Sequence, residues 1–448
     1  MPRKIVIVGA NAAGVHAASA ARKTDPKSEI ILVTDEKHLA YSRCGLPYVL
    51  AGEIPAFKDL VVFPPAYYRM MKLDTRTETV AKSINPEEKI VETESSDGKI
   101  ETINYDSLVL TTGATPFILP IEGNDKEGVV AVRTLEDGER IEKMMKGAKS
   151  AVVIGAGFVG LETAHAFMKS KLETTVIEVA PYIVPGLFDE DIADYIQKKI
   201  EDHGVKMLMG TRASEITGDN EVTGVKTSNG EIEADIVVMA TGVRPNTTLA
   251  TAVGIEVGVT RGIMVNPQMG TNIEGIYAAG DCVESRSTIT GLPCLIQLGT
   301  NAVRQGKVAG TNAAGGYSTF PGVVCTAVSK MFDFEIGSVG LTEYQAKRIG
   351  FNTISGSITG KTRAAYFPGA KEIRIKIIAE PYMGRIMGAQ IVGGEEVTQR
   401  INMISLGIQK EITVWELARA DTGYAPPLAE TLEPVALAAE VASMKIRR

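Results

Sequence analysis

The chain has 448 residues, 44% hydrophobic and 23% charged, with a net charge of −7. That length fits about three domains at roughly 150 residues each, and the composition excludes a disordered, collagenous or coiled-coil chain. The acidic balance argues against a nucleic-acid footprint, and no apolar run reaches membrane-span length or forms a secretory leader, so a cytoplasmic protein with no nucleic-acid or membrane partner is expected.

The first predicted elements form a strand-turn-helix-strand unit. Ile5–Val8 is a β-branched run, an alanine-rich helix follows Gly14, and Ile30–Val33 is a second apolar run. This is the βαβ unit of a parallel sheet. The turn is Gly9-Ala10-Asn11-Ala12-Ala13-Gly14, a dinucleotide-type loop with Asn where the middle glycine is usual. Asn tolerates unusual backbone angles but adds a side chain. Thr34 ends the second strand, and Asp35 behind it is expected to meet an adenosine ribose.

Cys44 follows, in Tyr41-Ser42-Arg43-Cys44-Gly45-Leu46-Pro47-Tyr48. Arg43 and a nearby helix N-terminus are expected to lower its pKa and favour the thiolate. The bland alternative is a small buried apolar residue. Cys282, Cys294 and Cys325 take that bland reading. No two cysteines form a C-x-x-C pair, and the four histidines are scattered. Neither a local dithiol nor a metal site is expected.

Between Lys82 and Ile103 polar and apolar residues alternate, with turns at Asn85-Pro86 and Asp97-Gly98. A small antiparallel hairpin is expected there. Leu108–Gly113, Ile236–Gly242 and Ile276–Gly280 read as buried strands closing at glycine turns.

The opening unit then repeats. Ala151–Ile154 leads into Gly155-Ala156-Gly157-Phe158-Val159-Gly160, a helix, and a further apolar run from Thr174. One long-period repeat means two related domains, not a solenoid. In this loop Gly155 makes the tight turn, Gly157 lets a pyrophosphate approach, and Gly160 lets helix and strand pack. Glu178 follows the next strand and can accept from both ribose hydroxyls. No Arg or Lys lies between Glu178 and Asp194, so a 2′-phosphate has no local partner. NADH is expected over NADPH.

Beyond about residue 320 the pattern becomes α+β. Ile373–Ile378 and Arg385–Val392 read as neighbouring strands, Glu395–Lys410 and Pro427–Ile446 as helices.

Two nucleotide loops, the T-G-x-x-P turns from Thr112 and Thr241, the Gly280-Asp281 turn and one cysteine with Arg and Gly flanks occur together. In these features the chain resembles the FAD-dependent pyridine nucleotide–disulfide oxidoreductases. It is similar to their single-cysteine branch of coenzyme A-disulfide reductases, NADH oxidases, NADH peroxidases and persulfide reductases. The resemblance runs along essentially the whole chain. It implies an α/β fold with two Rossmann-like nucleotide-binding domains and a C-terminal α+β dimerisation domain. The FAD domain would take residues 1–116 and 248–320, the NAD domain 117–247 and the dimerisation domain 321–448, in a homodimer.

By position, the resemblance puts Gly9–Gly14, Thr34, Asp35, Arg43, Val80, Thr112, Gly113, Arg133, Asp281, Leu298 and Gly299 on FAD. It puts Gly155, Gly157, Phe158, Val159, Gly160, Glu178 and Gly242 on NADH, and Cys44 over the flavin. The helix opening at Leu298 would offer its N-terminus to a reduced flavin. Peroxidases and many oxidases of this branch carry a histidine where this chain has Ala12; its role is not transferred to His16. Tyr424 and Tyr366 match tyrosines that reach the partner's site in the CoA-disulfide reductases, although packing alone would also account for them. Lys23 and Lys72 fall where that group holds CoA phosphates, while Ala40 and Arg43 depart from its Ser and Asn.

The implied reaction passes electrons from NADH through FAD to Cys44, and on to a CoA-type disulfide or persulfide. An NADH oxidase reducing O2 is the first alternative. A flavin-bound redox sensor with little turnover is the second.

Overall fold

The computed structural model describes residues 2–446; Met1, Arg447 and Arg448, at the ends of the first and third expected domains, lie outside the described residues. Strand β1 (Lys4–Val8) runs into helix α1 (Ala12–Thr24) and returns in β2 (Glu29–Val33). β1 and β2 pair in parallel, with Val8 opposite Val33. Ser107–Leu110 flanks β1 on its other side, Ile276–Ala278 follows it, and Leu73–Arg76 closes the far edge, all in parallel. Parallel strands are covered on both faces, which is why they read as unbroken apolar runs. After β2 a single 3-10 turn, Arg43–Gly45, carries Cys44 into the short helix α2 (Leu46–Leu50).

A second sheet repeats the plan. β3 (Ser150–Ile154), α3 (Phe158–Lys169) and β4 (Glu173–Ile177) form its core, with Ile154 opposite Ile177. Lys206–Leu208, Ile236–Met239 and Val129–Val130 complete it in parallel. Leu46 and Val49 of α2 belong to the same apolar core as Leu161 and Ala164 of α3. The cysteine segment is therefore packed on the helix that opens the second glycine loop.

Helix α4 (Gly299–Ala313) lies across α1 at the closest possible range. A Cβ at Gly306 would stand 2.2 Å from the Ala13 carbonyl oxygen, and one at Gly310 2.0 Å from that of Ala17. Only glycine lets the two backbones touch. This crossing holds the N-termini of both helices at the same end of the first sheet.

The C-terminal sheet is antiparallel, in the order β5 (Ala327–Met331), Phe334–Gly340, Ile386–Gly393, Glu372–Ala379, Ile354–Lys361. Helices α5 (Val397–Gln409) and α6 (Pro434–Ser443) pack on it through Ile401, Ile404, Val435 and Ala439.

Two expectations change. The alternating stretch is a three-stranded sheet, Thr79–Asn85, Ile90–Ser95 and Ile100–Asn104, because the Asp97-Gly98 turn starts a third strand after the first hairpin. The last helix begins at Pro434, not Pro427; proline fits a first turn, and the stretch before it is irregular. Among the described residues, no helix is long and apolar enough to cross a membrane.

Gly310→Ala should lower stability by about 1–3 kcal/mol through overpacking. Gly147→Ala, whose Cβ meets nothing within 4 Å, serves as the control. Urea unfolding checks this, and equal midpoints for the two variants would contradict the close crossing.

Candidate active site

Both glycine loops are built the same way. Gly9 and Gly155 turn with φ of +102° and +110°, a region costly for other residues. Their N–H groups donate to Val33 O and Ile177 O, both at 2.8 Å. A Cβ at Gly14 would stand 1.8 Å from Gly9 O, and one at Gly160 2.0 Å from Gly155 O. Each loop thus presses its helix N-terminus against the end of its strand, which leaves a cradle of N–H groups suited to a phosphate. The middle positions differ. A Cβ at Gly157 would meet nothing within 4 Å, so a ligand can approach that backbone. Asn11 instead caps α1, its Oδ1 accepting from Ala12 N at 2.8 Å. Its Nδ2 is buried without a partner.

A cavity of about 980 Å³ begins at the first loop and runs to Cys44. Its walls include Gly9, Ala10, Asn11, Ala12, Ala13, Thr34, Asp35, Arg43, Val80, Thr112, Gly113, Arg133, Asp281 and Gly299. The volume and the phosphate cradle fit FAD. Gly14 and Leu298 lie just behind these walls. Gly14 is wedged under Gly9 and Thr111. Leu298 is extended, at φ −121° and ψ 137°, between the wall residues Gln297 and Gly299. Successive side chains of an extended stretch face opposite ways.

Gly155–Gly160, Glu178 and Gly242 sit at the strand ends of the second sheet, outside that cavity. Glu178 accepts from Ala156 N at 2.8 Å and Ala180 N at 2.9 Å, so its carboxylate is locked beside the loop. Val159 is exposed and Phe158 partly buried. Gly242 has φ +92° and open space around it.

Cys44 is exposed to the cavity as a free thiol. Its pKa is raised, first by the protein packed around it and then by the Glu162 and Asp281 carboxylates, with Arg133 pulling the other way. The expected lowering by Arg43 does not occur. Arg43 pairs with Glu36 and donates to Arg133 O at 2.9 Å, so its charge is engaged elsewhere. Cys282 is fully buried, and burial pushes the Cys294 and Cys325 thiols up to about 11. Cys282 fits a small buried residue, while Cys294 and Cys325 are half-buried.

Glu162, on α3, is a site residue that motif reading missed. Its Oε1 accepts from Ser329 Oγ of β5 at 2.6 Å. Burial pushes its carboxyl up to about 7, and hydrogen bonds from Ser329 and Tyr48 oppose the shift. Tyr48 Oη also donates to Lys330 O at 3.1 Å. A titrating carboxyl is thereby held where three segments meet, near the thiol. No local pattern marks it, because its partners come from α2 and β5.

Tyr366 and Tyr424 meet, with hydroxyls 2.8 Å apart, and both side chains are exposed. The hydrogen bond to Tyr424 raises the Tyr366 pKa. Lys23 and Lys72 lie on adjoining segments, since Arg22 donates to both Met71 O and Lys72 O at 2.9 Å. His16 lines the cavity with its Nδ1 on Ala12 O at 2.8 Å. Among the described residues no cluster suits a metal ion.

Comparison with known proteins agrees with this geometry. Residues 3–306 match the pyridine nucleotide-disulphide oxidoreductase family model, and residues 326–436 match its dimerisation domain. The chain belongs to the pyridine nucleotide-disulphide oxidoreductases, and so is an NAD(P)H-dependent flavoprotein oxidoreductase. It is 43% identical over 446 residues to a protein named NADH oxidase from Methanocaldococcus jannaschii, covering 99% of each chain. It is 34% identical over 441 residues to an NAD(P)H sulfur oxidoreductase (CoA-dependent) from Pyrococcus abyssi, covering 98% of each. Among solved structures, an NAD-dependent persulfide reductase from A. fulgidus superposes with a TM-score of 0.96 at 39% identity. That match covers 98% of this chain and 83% of the other.

Glu162→Gln removes a carboxylate that raises the thiol pKa. The Cys44 pKa should fall, so the pH profile of its alkylation by iodoacetamide should move to lower pH. An unmoved profile would contradict the coupling.

Proposed function

We propose that the chain is an NADH-dependent reductase of CoA-type disulfides or persulfides, working through FAD and Cys44. The observation that carries this reading is the single exposed thiol in the same cavity as the first dinucleotide loop. One cysteine cannot close an internal disulfide, so the second sulfur must arrive with the substrate. Bound FAD would take hydride from NADH and hand electrons to sulfur.

The chain's own residues supply the rest. The Cys44 thiolate attacks one sulfur of the substrate, forming a mixed disulfide and releasing one thiol. Two electrons then return Cys44 to thiolate and release the second thiol. The net balance is one disulfide, one NADH and one proton giving two thiols and NAD+. Packing and the Glu162 and Asp281 carboxylates raise the thiol pKa and so disfavour the free thiolate. Glu162, whose carboxylate raises the thiol pKa, would tune the thiol proton. Tyr366 and Tyr424, already hydrogen-bonded, would protonate or orient the leaving thiolate of the partner subunit in a homodimer. Lys23 and Lys72, on adjoining segments, would hold CoA phosphates.

The units follow the same division. FAD would be held by residues 1–116 and 248–320, NAD by 117–247, and the dimer by 321–448. In support, the return strand Ile276–Ala278 joins the first sheet. Ala114–Pro116 and Val243–Pro245, where the chain crosses between sheets, pair antiparallel.

The second reading, reduction of O2 through a Cys44 sulfenic acid, is favoured by the relative named NADH oxidase. Anaerobic NADH oxidation with CoA disulfide separates the two. Two thiols per NADH should appear, and none in Cys44→Ser. NADH consumption in air without thiol release would overturn the reductase in favour of the oxidase.

Glu178→Ala should raise KM for NADH by about tenfold, the cost of roughly one charged hydrogen bond, and change KM for NADPH little. Steady-state kinetics with both nucleotides check this; equal effects would remove Glu178 from ribose recognition.

A further inference from the structure

We propose that Arg400 is the positioning residue that sets the Tyr366–Tyr424 pair. The inference rests on the reading above that these tyrosines serve the release of thiol.

Arg400 projects from α5 and is 6% exposed. Its Nε donates to Glu433 Oε1 at 2.6 Å, and its Nη2 to Glu433 Oε2 at 3.2 Å, a fork on one carboxylate. The same Nη2 donates to Thr362 O at 3.2 Å, and Nη1 to Glu396 Oε2 at 3.3 Å. Glu433 is itself buried.

The two ends of this fork lead to the two tyrosines. Thr362 closes the base of the turn that carries Tyr366: its N–H donates to Lys371 O at 2.9 Å, and its Oγ1 accepts from Lys371 N at 3.1 Å. Glu433 ends the irregular stretch that carries Tyr424 and opens α6. From Asp421 to Leu432 that stretch has no helix or strand. Among the described residues, its one hydrogen bond to the rest of the chain is Tyr424 to Tyr366. Without Arg400, the Tyr424 segment has no buried polar anchor to the Tyr366 turn.

A guanidinium fork also fixes direction, which an apolar contact does not. Buried ion pairs often contribute little net stability against apolar replacements. Arg400 is therefore read as setting geometry more than adding stability.

The test is a double-mutant cycle between Arg400→Met and Tyr424→Phe in the holoenzyme, with CoA disulfide as substrate. Arg400→Met should lower kcat for thiol release by about tenfold to a hundredfold, the scale of a misplaced group. Flavin reduction by NADH in stopped flow should stay unchanged, Arg400→Lys should restore part of the loss, and adding Tyr424→Phe should cost nothing more. If Arg400→Met does not fold, Arg400→Met with Glu433→Met removes both charges and takes its place in the cycle. Full turnover in the Arg400 variant, a loss that multiplies with that of Tyr424→Phe, or an equal fall in flavin reduction would overturn the inference. Full turnover in Tyr424→Phe would overturn the tyrosine reading, and this inference with it.

Discussion

Backbone touching backbone is the contact on which the rest of this molecule depends. Gly14 lies on Gly9, Gly160 on Gly155, and Gly306 and Gly310 on Ala13 and Ala17, all at distances that admit no Cβ. The first two contacts push helix N-termini to the ends of parallel strands, where N–H groups and the helix dipole favour phosphate. The last two lay α4 across α1, so that Gly299 joins the wall of the flavin-sized cavity. Side chains then decorate a frame that glycine has already set.

Within that frame one thiol faces the cavity. Cys44 opens into the cavity while the helix that follows it, α2, packs on α3, the helix behind the second loop. The thiol is therefore mechanically tied to both nucleotide sites. Its pKa is raised by packing and by two carboxylates, which disfavours the free thiolate. Glu162, its carboxyl pushed up to about 7 by burial, sits between α2 and strand β5 of the dimerisation domain. A titrating carboxyl thus links the segment that follows the thiol to the C-terminal domain.

How much of this was legible in the sequence depended on range. The glycine loops are local and repeat, so their strands, helices and phosphate-binding geometry could be read directly. Cys44 stood out by its flanks. Tyr366 and Tyr424 came from the resemblance, and only the fold shows them bonded to each other. Arg43 misled because its charge is claimed by Glu36 and the Arg133 carbonyl, partners that adjacency does not reveal. Glu162 and Arg400 were invisible for the same reason: each is an ordinary helical residue until distant segments close around it.

The most direct measurement is a reductive titration by NADH without oxygen, after treatment with CoA disulfide and removal of the excess. If Cys44 is the electron relay, the treated protein takes two equivalents of NADH per flavin and releases one CoA, while Cys44→Ser takes one and releases none. One equivalent in both proteins would show that no sulfur lies on the electron path, and would contradict the account.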